Sequence, residues 1–422
     1  MSPKLMKKFA IPFLFLGLIF TSCKNDDDAL IAQCEIPSGI EASDITFNSV
    51  DLNWNYTDAS ATFVVEIGIN GFTQGSGNSI NTSNSSLQIN NLLANTSYQI
   101  YIKANCGVNN ESLWSDAYSF TTLAEPVVAE FKQNLSELNL FSGTLSDLNP
   151  SIYAFEYKLN TALFTDYAHK QRLIALPSGE SMTYDGDGLP IFPDNTVIAK
   201  TFYYYNDERN PSLGKHIIET RILLKLNGEW QTGDYKWNED ATDAVLDLNG
   251  SPVPVSWIDL QGTQKSLTYQ IPSNTDCFTC HNNYNIITPI GPKLRTLNFD
   301  VNGNNQLQEL INNNHISGLD SPSSVAILPD WEDQSLSLED RARAYLDINC
   351  AHCHIAGGFC DLESNLDLDF SATYDDSKIF ENRFTIRARM SAYIPGFSMP
   401  YIGTVSKHNE GVDLVFEYLD TL

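Results

Sequence analysis

The sequence is short of positive charge. Lys and Arg together number 25 in 422 residues, against 52 Asp and Glu, so the formal net charge at pH 7 is −27. A surface this acidic repels phosphate backbones and anionic lipid headgroups, which excludes nucleic-acid binding. The chain also has no long apolar run beyond its N-terminus, and this excludes a protein that crosses a membrane several times.

The signatures of several common enzyme classes are absent as well. There is no serine-hydrolase or phosphate-loop motif, and Gly186-Asp187-Gly188 lacks the further glycine of a dinucleotide-binding turn. What the chain does have is 42% hydrophobic and only 18% charged residues, which is typical of a packed globular protein. At roughly 100–200 residues per domain, the length allows about two to four domains.

The N-terminus reads as an export signal. Lysines at positions 4, 7 and 8 precede an apolar run from Phe9 to Phe20, which is too short to span a bilayer. The following Thr-Ser-Cys23 resembles the lipobox of bacterial lipoproteins, and the acidic stretch 23–33 resembles the segment behind the lipidated cysteine in surface lipoproteins of the Bacteroidetes.

This resemblance implies that the signal peptide 1–22 is removed and that Cys23 carries the lipid. The lipid anchor would be the chain's membrane attachment. The expected location is the cell envelope, as an outer-membrane lipoprotein that is periplasmic or surface-exposed. An ordinary cleaved signal with an incidental cysteine is the alternative.

Residues 34–123 predict a β-sandwich. Apolar and polar residues alternate over 50–54 and 98–102, and turn residues separate such runs. Trp54 is expected to be the buried tryptophan, and Tyr98 resembles the tyrosine corner of such sandwiches. The stretch is similar to fibronectin type III domains. On that resemblance Cys34 and Cys106 would form a terminal disulfide, and the domain would most often serve as a spacer.

Four further cysteines form two Cys-x-x-Cys-His motifs, Cys277–His281 and Cys350–His354. This motif attaches c-type haem: the two thiols add to the haem vinyl groups, and the adjacent histidine reaches the iron. The sequence therefore predicts two covalent haem c groups, with His281 and His354 as proximal iron ligands. A zinc site made from Cys277, Cys280, Cys350 and Cys353, or two small disulfides, are the alternatives. Cys360 has no predicted role.

The second motif is flanked by more recognisable sequence features than the first. Ser337 and Asp340 predict the start of a helix that runs to about Ile348 and delivers Cys350. A Met399-Pro400 pair and an amphipathic C-terminal helix follow. This order resembles class I cytochromes c, and the resemblance makes residues 336–422 a haem domain with Met399 as distal ligand. Met390 is the rival, although it looks less enclosed.

The first motif, in residues 276–335, is less regular. By the same resemblance the Pro292 carbonyl would accept a hydrogen bond from the proximal imidazole, a contact that orients such rings. No helix signal is recognised before Cys277. His315, near the end of a predicted helix, is a candidate distal ligand, with a solvated helix-end histidine as the alternative. The first iron could instead take Met182, Met390 or His408 as its distal ligand, or its distal site could be open.

The region 138–422 as a whole resembles a little-characterised group of bacterial diheme c-type cytochromes. The stretches that carry this resemblance are 159–168, 218–221, 235–239, 289–293, 305–307, 341–349 and 408–412. It implies that the β-rich residues 124–275 belong to the cytochrome unit. The expected fold is thus multidomain: an all-β fibronectin III sandwich, a β-rich domain, then mainly α cytochrome c-like haem segments. The segment between Gly358 and Arg387 departs from the pattern.

These observations favour an electron carrier over an enzyme. Two haems on one exported chain could pass electrons between partner proteins, and the acidic surface would attract a basic redox partner. The alternative is a diheme peroxidase or oxidase with an open haem site at His281. A third hypothesis makes the fibronectin domain an adhesive module.

Overall fold

The computed structural model describes residues 34–422, so the predicted leader and the lipidated Cys23 lie outside the described residues. The chain divides into two compact units between Leu123 and Ala124. Within residues 34–422, no helix combines the length and the hydropathy that a membrane span requires.

The first unit is a sandwich of two antiparallel sheets. Its strands are β1 (Ser38–Ser43), β2 (Ser49–Asn55), β3 (Thr62–Ile69), β4 (Asn78–Thr82), β5 (Ser86–Asn90), β6 (Ser97–Asn105) and β7 (Tyr118–Thr121). One sheet has the order β1-β2-β5 and the other β4-β3-β6-β7. Alternation buries one face of each sheet, including Trp54 at 4% exposure. The unit has a fibronectin type III-like fold.

Two local features of this unit follow the sequence closely. The Tyr98 hydroxyl accepts a hydrogen bond from the Leu93 amide at 2.9 Å, as in a tyrosine corner. A disulfide joins Cys34, which precedes β1, to Cys106, which follows β6. It therefore closes the end of the sandwich and does not bridge the two sheets.

The second unit is built on a six-stranded antiparallel sheet with the order β14-β13-β12-β11-β9-β8. The strands of the whole second unit are β8 (Ala154–Glu156), β9 (His169–Ala175), β10 (Met182–Thr183), β11 (Val197–Tyr205), β12 (Lys215–Leu226), β13 (Glu229–Trp237), β14 (Ala244–Leu246), β15 (Ser251–Ile258), β16 (Gln264–Ile271), β17 (Asn282–Asn283), β18 (Ile286–Ile287), β19 (Asp300–Val301), β20 (Asn304–Asn305) and β21 (Ile316–Ser317). The strands outside the large sheet form two-stranded pairs, of which β15-β16 is the longest.

The helices of the second unit follow the sheet in sequence. They are α1 (Asn274–Cys280), α2 (Leu294–Leu297), α3 (Gln306–Asn312), α4 (Leu338–Leu346), α5 (Tyr374–Ser377), α6 (Ile379–Met390) and α7 (Asn409–Asp420). Short 3₁₀ turns lie at Leu135–Leu138, Leu145–Asp147, Pro211–Leu213 and Pro322–Ser324. The C-terminal helical region is thus smaller than the β-rich part of the chain.

Helices α4, α6 and α7 share one apolar core, which includes Leu346, Ile386 and Val415. Helix α7 approaches α4 at Gly411, whose missing side chain leaves room for the Tyr345 ring. A Cβ at this position would collide with the ring atoms, which are held in the core. The close approach of the two helices therefore depends on glycine.

We expect Gly411→Ala to destabilise the second unit by about 1–3 kcal/mol, the usual cost of overpacking a core. Urea denaturation followed by far-UV circular dichroism measures the change. The matched control is Gly188→Ala, because a Cβ at Gly188 would meet no atom. Gly303→Ala is unsuitable as a control, because Gly303 has a positive φ at which alanine would strain the backbone. Equal stability of the two variants would contradict the packing argument.

Candidate functional site

The second Cys-x-x-Cys-His motif is delivered by α4. Ser337 caps this helix by accepting the Asp340 amide, as the sequence predicts. The helix ends at Leu346 and continues as a wider turn over Asp347–Ala351, in which Cys350 lies. Such wide turns occur often at functional sites. The Cys353 and His354 amides then donate to the Cys350 carbonyl, so the motif folds into one compact turn.

A cavity of about 860 Å³ opens beside this motif. Ligand sites commonly measure about 300–1,000 Å³, so the volume suits a porphyrin-sized group. Cys350, Cys353 and His354 line the cavity together with both methionines, Met390 and Met399. The expectation that Met390 is the less enclosed of the two is wrong: its exposure is 8%, and it belongs to the apolar core.

The chemistry of these side chains fits covalent haem attachment. Burial lowers the pKa of His354, so its imidazole is neutral and able to donate an electron pair to a metal. Its Nδ1 atom is buried and has no hydrogen-bond partner among the described residues. Burial, with Asp347 nearby, raises the pKa of the Cys350 thiol to about 12. This thiol is therefore uncharged at neutral pH.

The first motif lies on α1, a short helix that the sequence reasoning did not recognise. Ser273 and Asp276 form a capping box at its start: the Ser273 hydroxyl accepts the Asp276 amide, and the Asp276 carboxylate accepts the Ser273 amide. This Ser-x-x-Asp signal precedes the motif in the sequence and would have revealed the helix. Cys277 is buried on α1, where burial and Asp234 raise its thiol pKa to about 12.

The imidazole of His281 is oriented by a backbone carbonyl, but this carbonyl belongs to Thr288 and not to Pro292. Its Nδ1 lies 2.8 Å from the Thr288 oxygen. A carbonyl can only accept, so Nδ1 carries the proton and Nε2 keeps its electron pair for a metal. The β17-β18 hairpin returns the chain to His281 earlier than Pro292, which explains the difference. Burial and Lys200 lower the His281 pKa to about 3.

The space beside His281 is much smaller than the cavity at the second motif. It measures about 80 Å³, and the segment 400–404 forms one wall. The donor set at this motif therefore fits a haem, whereas the enclosed volume is smaller than a haem needs. No methionine is among the described residues that line this cavity.

The structure separates two other predicted candidates from the motifs. The His315 ring stacks on Phe155, with centroids 4.0 Å apart, and does not line either cavity. Its position after α3, where its amide bonds to the Leu310 carbonyl, holds it there. Met182 is fully buried beside Ile316 in the core of the sheet. Neither side chain is placed to ligate a metal at His281.

The two motifs themselves lie against one another. The Tyr284 amide donates to the Gly357 carbonyl at 2.8 Å, and the Asn283 side chain donates to the Ala356 carbonyl at 3.2 Å. The ligand atoms of Cys280, His352 and Cys353 all lie within 4.8 Å of one another. His352 is half-buried in this group.

This arrangement bears on the alternative prediction of a four-cysteine zinc site. The group that could hold a metal contains Cys280 and Cys353 but neither Cys277 nor Cys350, so the four-cysteine set is not assembled. The Cys353 thiol lies beside that of Cys280, and their interaction lowers the pKa of Cys280 and raises that of Cys353. Cys360 also contacts Cys353 and lines the larger cavity.

A buried ionic network joins the segment that follows the first motif to the segments that flank the second. The Arg295 guanidinium contacts Asp347 at 2.6 Å and Asp369 at 2.8 Å, and Lys293 contacts the same two carboxylates. Asp347 is fully buried three residues before Cys350, while Lys293 and Arg295 follow the first motif. The relative position of the two motifs is therefore set by this network as well as by the direct contacts.

Comparisons with known proteins gave matches to solved structures alone. No family model and no curated protein matches this chain. Among solved structures, it is similar to the fibronectin type III domain of human fibronectin type III domain containing protein 3 (18% identity, 22% of this chain, 90% of that one, TM-score 0.20). It is also similar to the fn3 domain of human contactin 1 (17% identity, 25% of this chain, 95% of that one, TM-score 0.20). Each match extends over about a quarter of this chain and nearly all of the matched domain.

Proposed function

We propose that this protein is an exported diheme c-type cytochrome that transfers electrons between redox partners. The observation that carries the proposal is the meeting of the two Cys-x-x-Cys-His motifs, with the sulfurs of Cys280 and Cys353 in one cluster. Cys280 would hold one haem and Cys353 the other, so one attachment point of each haem lies in the same cluster. When bound, the haem irons would supply one-electron exchange between the ferrous and ferric states.

The protein's own residues would perform several tasks. Four thiols, those of Cys277, Cys280, Cys350 and Cys353, would hold the two groups covalently, which prevents their loss from an exported protein. The neutral imidazoles of His281 and His354 would ligate the irons, with the Thr288 carbonyl orienting the former ring. Met399 would complete the second site. The acidic chain would attract a basic partner, and its lipid anchor would keep it at the envelope.

The direct test is a haem count per chain after expression with a c-type maturation system. Wild type should carry two covalent haems. The double variant Cys350→Ser/Cys353→Ser and the double variant Cys277→Ser/Cys280→Ser should each carry one. Cys360→Ser is the matched control, because Cys360 touches Cys353 but lies outside both motifs, and it should keep two. A wild-type chain without covalent haem would refute the proposal.

A diheme peroxidase or oxidase is the second candidate, and the cavity at His281 favours it. Basic side chains, and no methionine of the described residues, line that cavity, so an iron there would lack a thioether ligand. Carbon monoxide added to the reduced protein separates the two candidates. A response from one haem supports the enzyme, whereas a spectrum that ignores carbon monoxide and peroxide supports the electron carrier.

A further inference from the structure

Three adjacent strands carry a row of basic side chains toward the cavity at His281. In the sheet register, Lys200 on β11 lies directly opposite Arg172 on β9 and Arg221 on β12. Lys170 lies two residues from Arg172 and therefore on the same face. All four side chains line the 80 Å³ cavity. We call Lys170, Arg172, Lys200 and Arg221 the cationic row.

Among the described residues, Arg221 is the only member of the cationic row that forms a direct ion pair. Arg221 is paired with Glu219 at 2.6 Å. The Lys170 and Lys200 ammonium groups donate to the backbone carbonyls of Leu163 and Ile290, both at 2.7 Å. These bonds satisfy donors but leave the charges unneutralised. Arg172 is only 8% exposed, and its guanidinium has no hydrogen bond or ion pair with any residue of 34–422.

One carboxylate, that of Asp276, lines the same cavity, and the Glu156 carboxylate on β8 interacts electrostatically with Arg172. Glu219 is already shared between Arg221 and the Tyr269 hydroxyl. Burial raises the pKa of Asp234, which lies opposite Arg221, and also the pKa of Asp166 near Lys170, and both shifts favour the neutral acids. Four basic side chains therefore line the cavity against a single carboxylate, that of Asp276, among its described lining residues. Such an arrangement is costly unless something else neutralises it.

Burial and the crowding of basic groups lower the pKa of both lysines in the row. Burial, together with Arg172 and Arg221, lowers the pKa of Lys200 to about 7, and similar causes lower that of Lys170. In a chain with a net charge of −27, positive residues are scarce. Their concentration at one enclosed cavity is therefore unlike the rest of the molecule, and an anion placed there would relieve their repulsion.

We propose that the cationic row binds an anionic group of the carboxylate or small oxyanion class beside His281. Arg172 can present a planar pair of donors to such a group, and the two ammonium groups can approach its oxygens from the flanking positions. Two sources share this chemistry. One is a propionate side chain of a haem held at Cys277 and Cys280, which rests on the proposed function. The other is a free small oxyanion, for which a cavity of about 80 Å³ has room.

The test compares Lys200→Met with Lys225→Met in the haem-loaded full chain. Both lysines are half-buried on neighbouring strands of the same sheet, and both donate to a backbone carbonyl, but Lys225 does not line the cavity. Each variant is titrated with nitrite and with sulfate by isothermal calorimetry. Its reduction potentials and its resonance Raman spectrum are then recorded. Arg172→Gln serves as a second variant if Lys200→Met misfolds.

A free oxyanion is the source if nitrite or sulfate binds wild type and binds Lys200→Met at least tenfold more weakly. A propionate is the source if neither anion binds, and if Lys200→Met lowers one potential and shifts the propionate bending band. Lys225→Met should behave like wild type in both cases. The proposal is overturned if the two variants cannot be told apart in either measurement.

Failure of the proposed function remains distinguishable from failure of this inference. If wild type contains no covalent haem, the cytochrome proposal falls, and the same titrations are made on the haem-free chain. Binding of nitrite or sulfate that Lys200→Met weakens would still support the anion site. Absence of binding in that chain would overturn it.

Discussion

Replacing Met399 by Ala is expected to lower the reduction potential of the haem held at His354 by on the order of 0.1 V or more. A thioether is a neutral, soft ligand that favours ferrous iron, so its loss stabilises the ferric state. Met399 lines the large cavity together with Cys350, Cys353 and His354. It comes from the chain segment that follows α6, where its amide donates to the Arg389 carbonyl.

Met390→Ala is the matched control for this experiment. Met390 lines the same cavity but also packs in the core of α4, α6 and α7. Its truncation should cost about 2–5 kcal/mol of stability while leaving the potential near that of wild type. Spectroelectrochemical titration of both variants measures the effect. If Met390→Ala produced the larger drop in potential, Met390 would take over the role of distal ligand.

The second large effect is expected at Arg295. We predict that Arg295→Met lowers the free energy of unfolding of the second unit by about 3 kcal/mol, the lower end of the range for breaking a buried ion pair. The substitution leaves Asp347 fully buried with Lys293 as its remaining cationic partner, 3.1 Å away. The arginine also joins Asp369 to the same network, so its loss loosens the contact between the two motif-bearing segments.

Urea denaturation, monitored by circular dichroism, measures this loss in the full chain. The control is Arg209→Met, which breaks the pair with Asp207, where the Arg209 side chain is half exposed. Water screens that pair, so its removal should have little effect on stability. A result in which Arg295→Met were no more harmful than Arg209→Met would show that the buried network does not hold the motifs together.

Local signals in the sequence anticipated much of the architecture. The capping residue Ser337 and the periodicity after it predicted α4, and the alternation around Trp54 and Tyr98 predicted the sandwich strands. These features depend on residues only a few positions apart. The unrecognised start of α1 was also local, because the Ser273–Asp276 pair was present in the sequence and its significance was overlooked.

The misplaced residues have a different cause. His315 is held on Phe155 by a stacking contact across 160 positions of sequence, and the β17-β18 hairpin brings Thr288 to His281 ahead of Pro292. Met390 looked less enclosed than Met399 because Arg387 and Arg389 precede it in the sequence, yet the helix turns its side chain into the core. None of these outcomes can be inferred from neighbouring residues alone.

The sequence by itself determined the two Cys-x-x-Cys-His motifs, the acidic charge and the order of the elements, because spacing and composition are properties of the chain. Only the tertiary structure decided that Cys280 and Cys353 meet, and that Arg172, Lys200 and Arg221 form a row beside His281. These groups come from segments far apart in sequence, and strand register and buried ion pairs set their separation. Long-range packing therefore determines the candidate site, whereas local patterns determine the parts from which it is built.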